Sequence, residues 1–198
     1  MKSGRTRSFD KETALENAML VFWKNGYPGT SLTDLTGAMG INKPSLYSAF
    51  GNKENLFNQS LELYLEKYAL VHSTHLVEAN ICLQDRLKNF LTSTARMLTD
   101  SNLPKGCLIC HSTSELAGTC LPEKSGTKLQ GINQQTSDAF TAFFENEIKA
   151  GNLAADCDTN AMANYLLALM FGLAISARNG SDFQSLQGII CFSLGNFS

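Results

Sequence analysis

Residues 30–57 read Thr30-Ser-Leu-Thr-Asp-Leu-Thr-Gly-Ala-Met-Gly-Ile-Asn-Lys-Pro-Ser-Leu-Tyr-Ser-Ala-Phe50-Gly-Asn-Lys-Glu-Asn-Leu-Phe57, and this stretch decides the fold. Ser31-Leu-Thr-Asp34 has the spacing of a capping box with Asp in the usual Glu place, so a helix opens here. It runs to Met39 and stops at Gly40, which supplies the positive φ that a tight turn needs. Asn42 caps the next helix, and Pro44 falls in its first turn, where a missing N–H costs little. Phe50-Gly51 closes that helix and Asn52 opens another from about Lys53. Two short helices, a tight turn and a third helix at once make a helix-turn-helix over about residues 31–50. Ala38 is the expected small residue at the crossing, with Leu35, Ile41, Leu46 and Phe50 locking the pair. Leu46 and Phe50, four residues apart, point inward and leave Lys43, Ser45, Tyr47, Ser48 and Ala49 outward. Such a face suits a DNA major groove, with Lys43 and Ser45 at bases and Tyr47 at phosphate. Lys53, beside helix N-terminal amides, suits a phosphate.

Outward from this core the period stays helical, and no run alternates as a half-buried strand would. Asp10 caps a first helix whose apolar face is Ala14, Leu15, Ala18, Met19, Phe22 and Trp23, with Gly26 as terminator. A long helix is expected from about Lys53 towards Val77. Others are expected at roughly 83–100, 105–118, 124–151, 158–178 and 182–196, separated by Gly-, Asn- and Pro-containing breaks. The expected class is all-α with about nine helices, three of them a small N-terminal head and the last five a bundle. The division falls at residues 1–55 and 56–198.

The whole chain has 198 residues and a formal charge of −2, so bulk charge points to no partner. Its distribution is more informative. Residues 1–55 carry seven Lys/Arg, three of them at Lys2, Arg5 and Arg7, against five Asp/Glu, a mildly basic head on an acidic body. Cations gain affinity for DNA by displacing counterions. No apolar segment follows the basic N-terminus as in an export signal. The longest apolar run, Met162 to Ala177, is interrupted by Asn164 and shorter than the ~20 residues of a bilayer span. It reads as a buried helix, and no membrane partner is expected. Six cysteines without an export signal fit reduced thiols in a cytoplasm.

The pattern Phe22-x-x-x-Gly-Tyr27, Thr30-Ser-Leu-x-Asp-Leu35, Met39-Gly-Ile-x-Lys-Pro-Ser-Leu-Tyr47, Phe50-Gly-x-Lys-Glu-x-Leu56 resembles the TetR family of bacterial transcription regulators over about residues 10–58. The resemblance implies an all-α homodimer whose heads bind the half-sites of a palindromic operator and whose body binds a small-molecule inducer. It places DNA contacts at Ser31, Thr33, Lys43, Pro44, Ser45, Tyr47, Ser48, Ala49 and Lys53. Ser48 and Ala49 are small where longer side chains are frequent in the family. Lys43 to a guanine, Ala49 against a thymine methyl and DNA shape would then share the reading. Gly106-Cys107-Leu108 is similar to the start of the sixth helix in one subgroup.

In the body, Tyr64, Tyr68, Phe90, Phe140, Phe144, Tyr165 and Phe171 are candidate walls of the inducer pocket, with Thr94, Met97, Cys110, His111 and Glu115 beside them. Cys107-x-x-Cys110-His111 formally matches a haem c attachment site, which the missing export signal argues against. A zinc site using these three residues and Cys120 would need three ligands from one helix, an uncommon arrangement. No cofactor and no resident metal are therefore expected. A thiol sensor of oxidants or electrophiles at Cys107/Cys110 is an alternative, because a helix N-terminus and Lys105 would both favour thiolate. Small apolar packing is the plainer role for both cysteines. Dimerisation is expected through the last two helices, at Ala163, Leu169, Gly172, Phe183, Leu186, Ile190 and Leu194. An enzyme is not supported: His72, His75 and His111 sit on helices without a nucleophile elbow or a phosphate loop. A nucleoid-type DNA binder without a ligand is the alternative from another class, and a cavity in the body would separate the two.

Overall fold

The computed structural model describes residues 9–116, 118 and 120–195, and among these every regular element is helical. Three expectations lie outside them: the basic Lys2, Arg5 and Arg7, the passage of the sixth helix through Ala117, and the end of the last helix at 196. Nine α-helices follow in order: α1 Lys11–Asn25, α2 Leu32–Met39, α3 Lys43–Phe50, α4 Lys53–Tyr64, α5 Leu83–Leu98, α6 Leu108–Glu115, α7 Glu123–Lys149, α8 Thr159–Arg178 and α9 Phe183–Leu194.

The head forms as its capping chemistry dictates. Asp10 accepts from the Glu12 and Thr13 amides at the start of α1. Ser31 and Asp34 make a reciprocal capping box at α2. Asn42 and Asn52 cap α3 and α4 through the Ser45 and Asn55 amides. Gly40 sits in the left-handed region at φ 66°, turning the chain between α2 and α3. Leu35, Leu46, Phe50, Phe22 and Phe57 are buried beneath these helices. Ala38 is not at the crossing: it is exposed and borders an open cleft, and Met39 fills the buried position instead.

The long helix expected from Lys53 to Val77 is not continuous. Regular α-helix ends at Tyr64, a wide π turn covers Leu65–Ala69, and a tight 3-10 segment covers Leu70–Val77. Residues 71–77 include two valines, a serine and a threonine, poor formers of helix interiors. Ser73 Oγ and Thr74 Oγ1 each bond the carbonyl three residues back, at 2.6 and 2.9 Å, which favours the tighter turn. The sixth helix begins later than expected, at Leu108, because Gly106 turns the chain at φ 81° and Cys107 takes the cap position.

Two apolar cores result. One holds the head together with the start of α6 and the middle of α7, through Leu108, Ile109, Leu129 and Ile132. The other joins α5, α7, α8 and α9 through Leu87, Leu91, Phe144, Leu166, Leu173 and Ile190. Helix α8 is 20 residues long with mean hydropathy 1.4, long and apolar enough by those measures alone to cross a membrane. In the fold it lies against α5, α7 and α9 with only 28% of its apolar window buried, so one side stays open.

A buried ion pair pins the second core. Arg86 donates to both oxygens of Glu147 and to the Leu76 carbonyl, the latter at 2.7 Å. Burial alone would raise the Glu147 pKa, but hydrogen bonds from Arg86 and Asn152 outweigh it and hold the carboxyl below its ordinary value. A depressed carboxyl contributes stability above its unfolded pKa and loses it as pH falls through the native one. Glu147→Ala, which strands the guanidinium, is expected to cost about 3 kcal/mol in urea unfolding at pH 7. The difference from wild type should shrink as the buffer is acidified below the carboxylate range.

Candidate nucleic-acid interface and body cavity

Helix α3 stands on Leu46 and Phe50, which are buried, and this fixes what it shows outward. Lys43, Pro44, Tyr47 and Ser48 are exposed, while Ser45 and Ala49 are half-buried. Tyr47 is 49% exposed, a large ring on a surface with no core role. Ser31 and Thr33 at the start of α2 are exposed beside it. Ser31 has a structural duty as well: its hydroxyl donates to Asp34 at 2.6 Å and accepts the Asp34 amide at 3.1 Å.

Lys53 differs from the expected free phosphate ligand. Its Nζ donates to the Tyr27 carbonyl at 2.8 Å and lies 4.2 Å from the Tyr27 ring centroid. Burial lowers its pKa, opposed by the nearby Glu115 carboxylate. Lys53 thus ties the loop after α1 to the first turn of α4, half-buried at the edge of the α3 face.

A cavity of about 90 Å³ lies in the body between the π turn, α5, α6, α7 and α8. Of the expected pocket residues, Tyr64, Thr94, Met97, Cys110 and Phe171 line it. His72, Cys107, Asn133 and Thr136 also line it and were not among the expected pocket walls. No Asp, Glu, Lys or Arg does. Leu65, Ala69, Ile132, Thr136 and Met170 are shared with an adjoining groove of about 520 Å³, where Phe90 and Phe140 are found.

The other expected pocket residues point elsewhere. Tyr68 packs edge-on to Trp23 and its hydroxyl reaches Glu16 at 3.4 Å. Phe144 is wholly inside the second core. Tyr165 is on the outer side of α8, its hydroxyl 3.4 Å from the Ser193 carbonyl. His111 and Glu115, on the far side of α6 from the cavity, meet the head. Cys107, Cys110 and His111 therefore do not converge as a zinc set would require, and Cys120 is exposed.

At the cavity wall the two thiols are chemically unequal. Cys107 caps α6, its sulfur accepting the Cys110 amide at 3.5 Å. Hydrogen bonds from the Cys110 thiol and, against the cost of burial, from Tyr64 and backbone amides lower its pKa to about 7. The same contact and burial raise Cys110 well above the ordinary thiol value. His72 holds Ser93 through Nδ1 at 2.8 Å, while its Nε2 is buried with no hydrogen-bond partner.

The outer side of α6 clamps the head. Glu115 accepts the Tyr27 amide at 3.3 Å, and His111 Nε2 lies 3.0 Å from Arg178. Arg178 donates to the Trp23 and Lys24 carbonyls at 3.2 and 3.1 Å, and Trp23 Nε1 donates to the Gly106 carbonyl at 3.1 Å. Burial raises Glu115, and burial together with Arg178 lowers His111, so the histidine is neutral in this cluster.

The expected dimer residues divide. Ala163, Leu186, Ile190 and Leu194 are buried within the protomer's own core, because they occupy the inward face of α8 and α9. Leu169 is half-buried, and Phe183 is half-buried with Arg96 stacked 4.5 Å from its ring. Only Gly172 is exposed. Around it on the outer side are Ala168 and Ile175, with Ile189 and Phe192 exposed on α9, the last at 85%.

Comparison with known proteins agrees with this geometry. Residues 14–59 match the family described as bacterial regulatory proteins, tetR family, and residues 84–190 match the tetracyclin repressor-like, C-terminal domain. The HTH-type transcriptional repressor ComR of Escherichia coli is 30% identical over 94% of this chain and 88% of its own. The uncharacterized HTH-type transcriptional regulator YezE of Bacillus subtilis is 31% identical over 96% of this chain and 97% of its own. Among solved structures, a cysteine mutant of the TetR family transcriptional regulator CifR, complexed with 26-bp double-strand operator DNA, superimposes with a TM-score of 0.88. It is 33% identical and covers 98% of this chain and 100% of its own.

The head clamp sets an expectation of its own. Arg178→Ala removes two buried-edge carbonyl bonds and should destabilise the protein by about 2 kcal/mol. Amide exchange should accelerate at the C-terminal turn of α1 more than in α5, where no clamp contact is lost.

Proposed function

The chain belongs to the TetR family of bacterial transcriptional regulators, and from that membership we propose that it is a repressor. Two copies bind a palindromic operator, and a small-molecule inducer in the body releases them. The observation that carries this reading is the face of α3: a helix anchored by Leu46 and Phe50 that turns Lys43, Pro44, Tyr47 and Ser48 to solvent. The named repressor relative and the operator-bound neighbour support it. Proteins of this family regulate transcription and are not enzymes, and a regulator working on the chromosome acts in the cytoplasm.

In this reading residues 1–55 are the DNA-binding head and 56–198 the ligand-binding and dimerisation part. Lys43 and Ser45 reach bases from the first turn of α3, Ala49 offers a methyl surface, and Tyr47, Pro44, Ser48, Thr33 and Ser31 meet backbone. Lys53 contributes by holding the loop at Tyr27 and by lending positive charge to the phosphates. The cavity beside α6 favours a ligand-responsive regulator over a nucleoid-type binder, which has no use for one. The start Gly106-Cys107-Leu108, with its left-handed glycine, supports placement in the subgroup with that sixth-helix opening.

The dimer is best supported by the outer faces of α8 and α9. Ala168, Gly172 and Ile175 repeat at three- to four-residue spacing, small enough for close helix approach, and Ile189 and Phe192 extend the patch. Each copy then presents one head, and the two α3 helices must lie about 34–36 Å apart to enter successive grooves.

Selecting genomic fragments with the pure protein and sequencing them tests the reading, the expected result being an inverted repeat. On that site Tyr47→Ala should weaken binding at least about tenfold for all sequences alike, and Lys43→Ala should relax preference at one or two base pairs. No enriched repeat, or equal affinity for wild type and Tyr47→Ala, would overturn it. Gly172→Arg or Phe192→Arg should give monomers in sedimentation with DNA affinity reduced about a hundredfold or more, because both heads must engage together.

A further inference from the structure

We propose that the body binds an uncharged single-chain amphiphile, noncovalently. Its hydroxyl head is held at His72 Nε2 in the cavity, and its unbranched apolar tail lies in the groove between the 3-10 segment and α7. The proposal rests on the inducer-site reading only for its effect on DNA; the binding itself stands on the cavity and the groove.

The cavity is too small to be the whole site. Its volume is about 90 Å³. That is room for roughly three water-sized groups at ~30 Å³ each, whereas ligand sites usually offer about 300–1,000 Å³. The groove of about 520 Å³ brings the whole into that range. The two are continuous, since Leu65, Ala69, Ile132, Thr136 and Met170 border both. Leu65 and Ala69 are the two ends of the π turn, a kind of wide turn that recurs at functional sites. A narrow end opening into a longer trough suits a linear molecule rather than a compact one.

The narrow end asks for one polar group. Thr94 and Thr136 donate to the Phe90 and Ile132 carbonyls at 2.9 and 2.8 Å, and Asn133 donates to Thr113 at 3.0 Å. Among the described lining residues, only His72 keeps a buried side-chain nitrogen or oxygen without a partner. His72 is buried to nine-tenths, so a ligand that pairs Nε2 relieves a real cost. Its Nδ1 is engaged with Ser93 at 2.8 Å, and Nε2 donates or accepts according to the tautomer. A hydroxyl meets both cases, where an ether or a carbonyl meets one. Burial, helped by nearby His75, lowers the His72 pKa, so the ring is neutral and gives a carboxylate head no counter-charge.

The groove asks for an apolar tail. Leu70, Leu76 and Val77 form one wall and Phe90, Phe140 and Phe143 face it, and no Asp, Glu, Lys or Arg is among its described lining residues. Ser73 and Thr74 line it too, but their hydroxyls already bond their own backbone. Leu70 and Val77 are 61% and 77% exposed, apolar surface that a tail would take from water. Tyr64 and Ile109 line the cavity and belong to the head's core, so a head group that needs room there is felt through α4 and α6 together.

The test uses the full-length protein with 1-butanol, 1-hexanol and 1-octanol as probes and octanoate as the charged counterpart. Titration calorimetry should find one saturable site per protomer, with affinity rising about three- to fourfold per added methylene. Octanoate should bind at least about tenfold more weakly than 1-octanol. His72→Leu should weaken 1-octanol about tenfold, because the buried hydroxyl then lacks a partner. Ala139 is exposed and borders the groove, so Ala139→Trp should fill the trough without disturbing the core. It should weaken 1-octanol at least about tenfold and leave 1-butanol unchanged. Absence of a saturable site, no dependence on chain length, or octanoate equal to 1-octanol would overturn the proposal. So would wild-type affinity in both variants. Binding that weakens as protein concentration rises would assign the groove to a second copy of the chain, and overturn it as well. On the selected operator 1-octanol should release wild type and spare Ala139→Trp; if no operator is ever selected, the regulator reading fails while the calorimetry still judges the site.

Discussion

Within the apolar seam that joins head to body, one buried hydrogen bond runs from the Trp23 indole to the Gly106 carbonyl. Trp23 is completely buried, so its N–H has no recourse to water, and an unpaired donor there would cost about 1–3 kcal/mol. The carbonyl can be offered only because residue 106 is glycine. Its φ is 81°, and a Cβ at that position would sit 2.8 Å from the Ala174 carbonyl oxygen and 3.1 Å from the Arg178 side chain. Three elements distant in sequence are therefore brought within touching distance around one small residue: the end of α1, the start of α6 and the C-terminal half of α8. Arg178 and Glu115 add bonds at the rim of the same joint.

The head was legible in the sequence because each of its boundaries is set by local chemistry. Asp10, Ser31 with Asp34, Asn42 and Asn52 cap the helices they precede, and Gly26, Gly40 and Gly51 end them. Such signals act over three or four residues, so they can be read without knowing the rest of the fold. The outward face of α3 followed from Leu46 and Phe50 alone, since a short helix with one buried side has only one other to show. Ala38 was misplaced because the crossing depends on how far two helices slide past each other, which the local pattern does not encode.

The body was legible as helices and not as surfaces. Period marks an apolar stripe but not what covers it: Leu186, Ile190 and Leu194 read equally well as a dimer face or as the floor of the protomer, and they are the floor. Gly172 was expected at the dimer face and is exposed on the outer side of α8, with Ala168 and Ile175 beside it. The cavity drew together Tyr64, Thr94, Met97, Cys110 and Phe171 as expected, and also His72, Cys107, Asn133 and Thr136, which were not among the expected walls. The π turn at Leu65–Ala69 is the cause for His72. It widens the helix by one residue and rotates all that follows relative to the α-helical register.

Helix α6 is the element through which a body event can reach DNA, because its two faces belong to different neighbours. Cys107 and Cys110 line the cavity, while Glu115 holds the Tyr27 amide and His111 meets Arg178, which holds the Trp23 and Lys24 carbonyls. An eight-residue helix is too short to bend between those faces, so it responds as a unit. The coupling required is modest. A change of 1–3 kcal/mol shifts operator affinity by roughly 5- to 150-fold, about the net worth of one or two of the hydrogen bonds that α6 and Arg178 make to α1. Linkage makes the effect mutual: DNA that favours the clamped arrangement must resist whatever enlarges the cavity. A regulator built this way needs no long relay, only a stiff short helix with one edge on the cavity and the other anchored to the head.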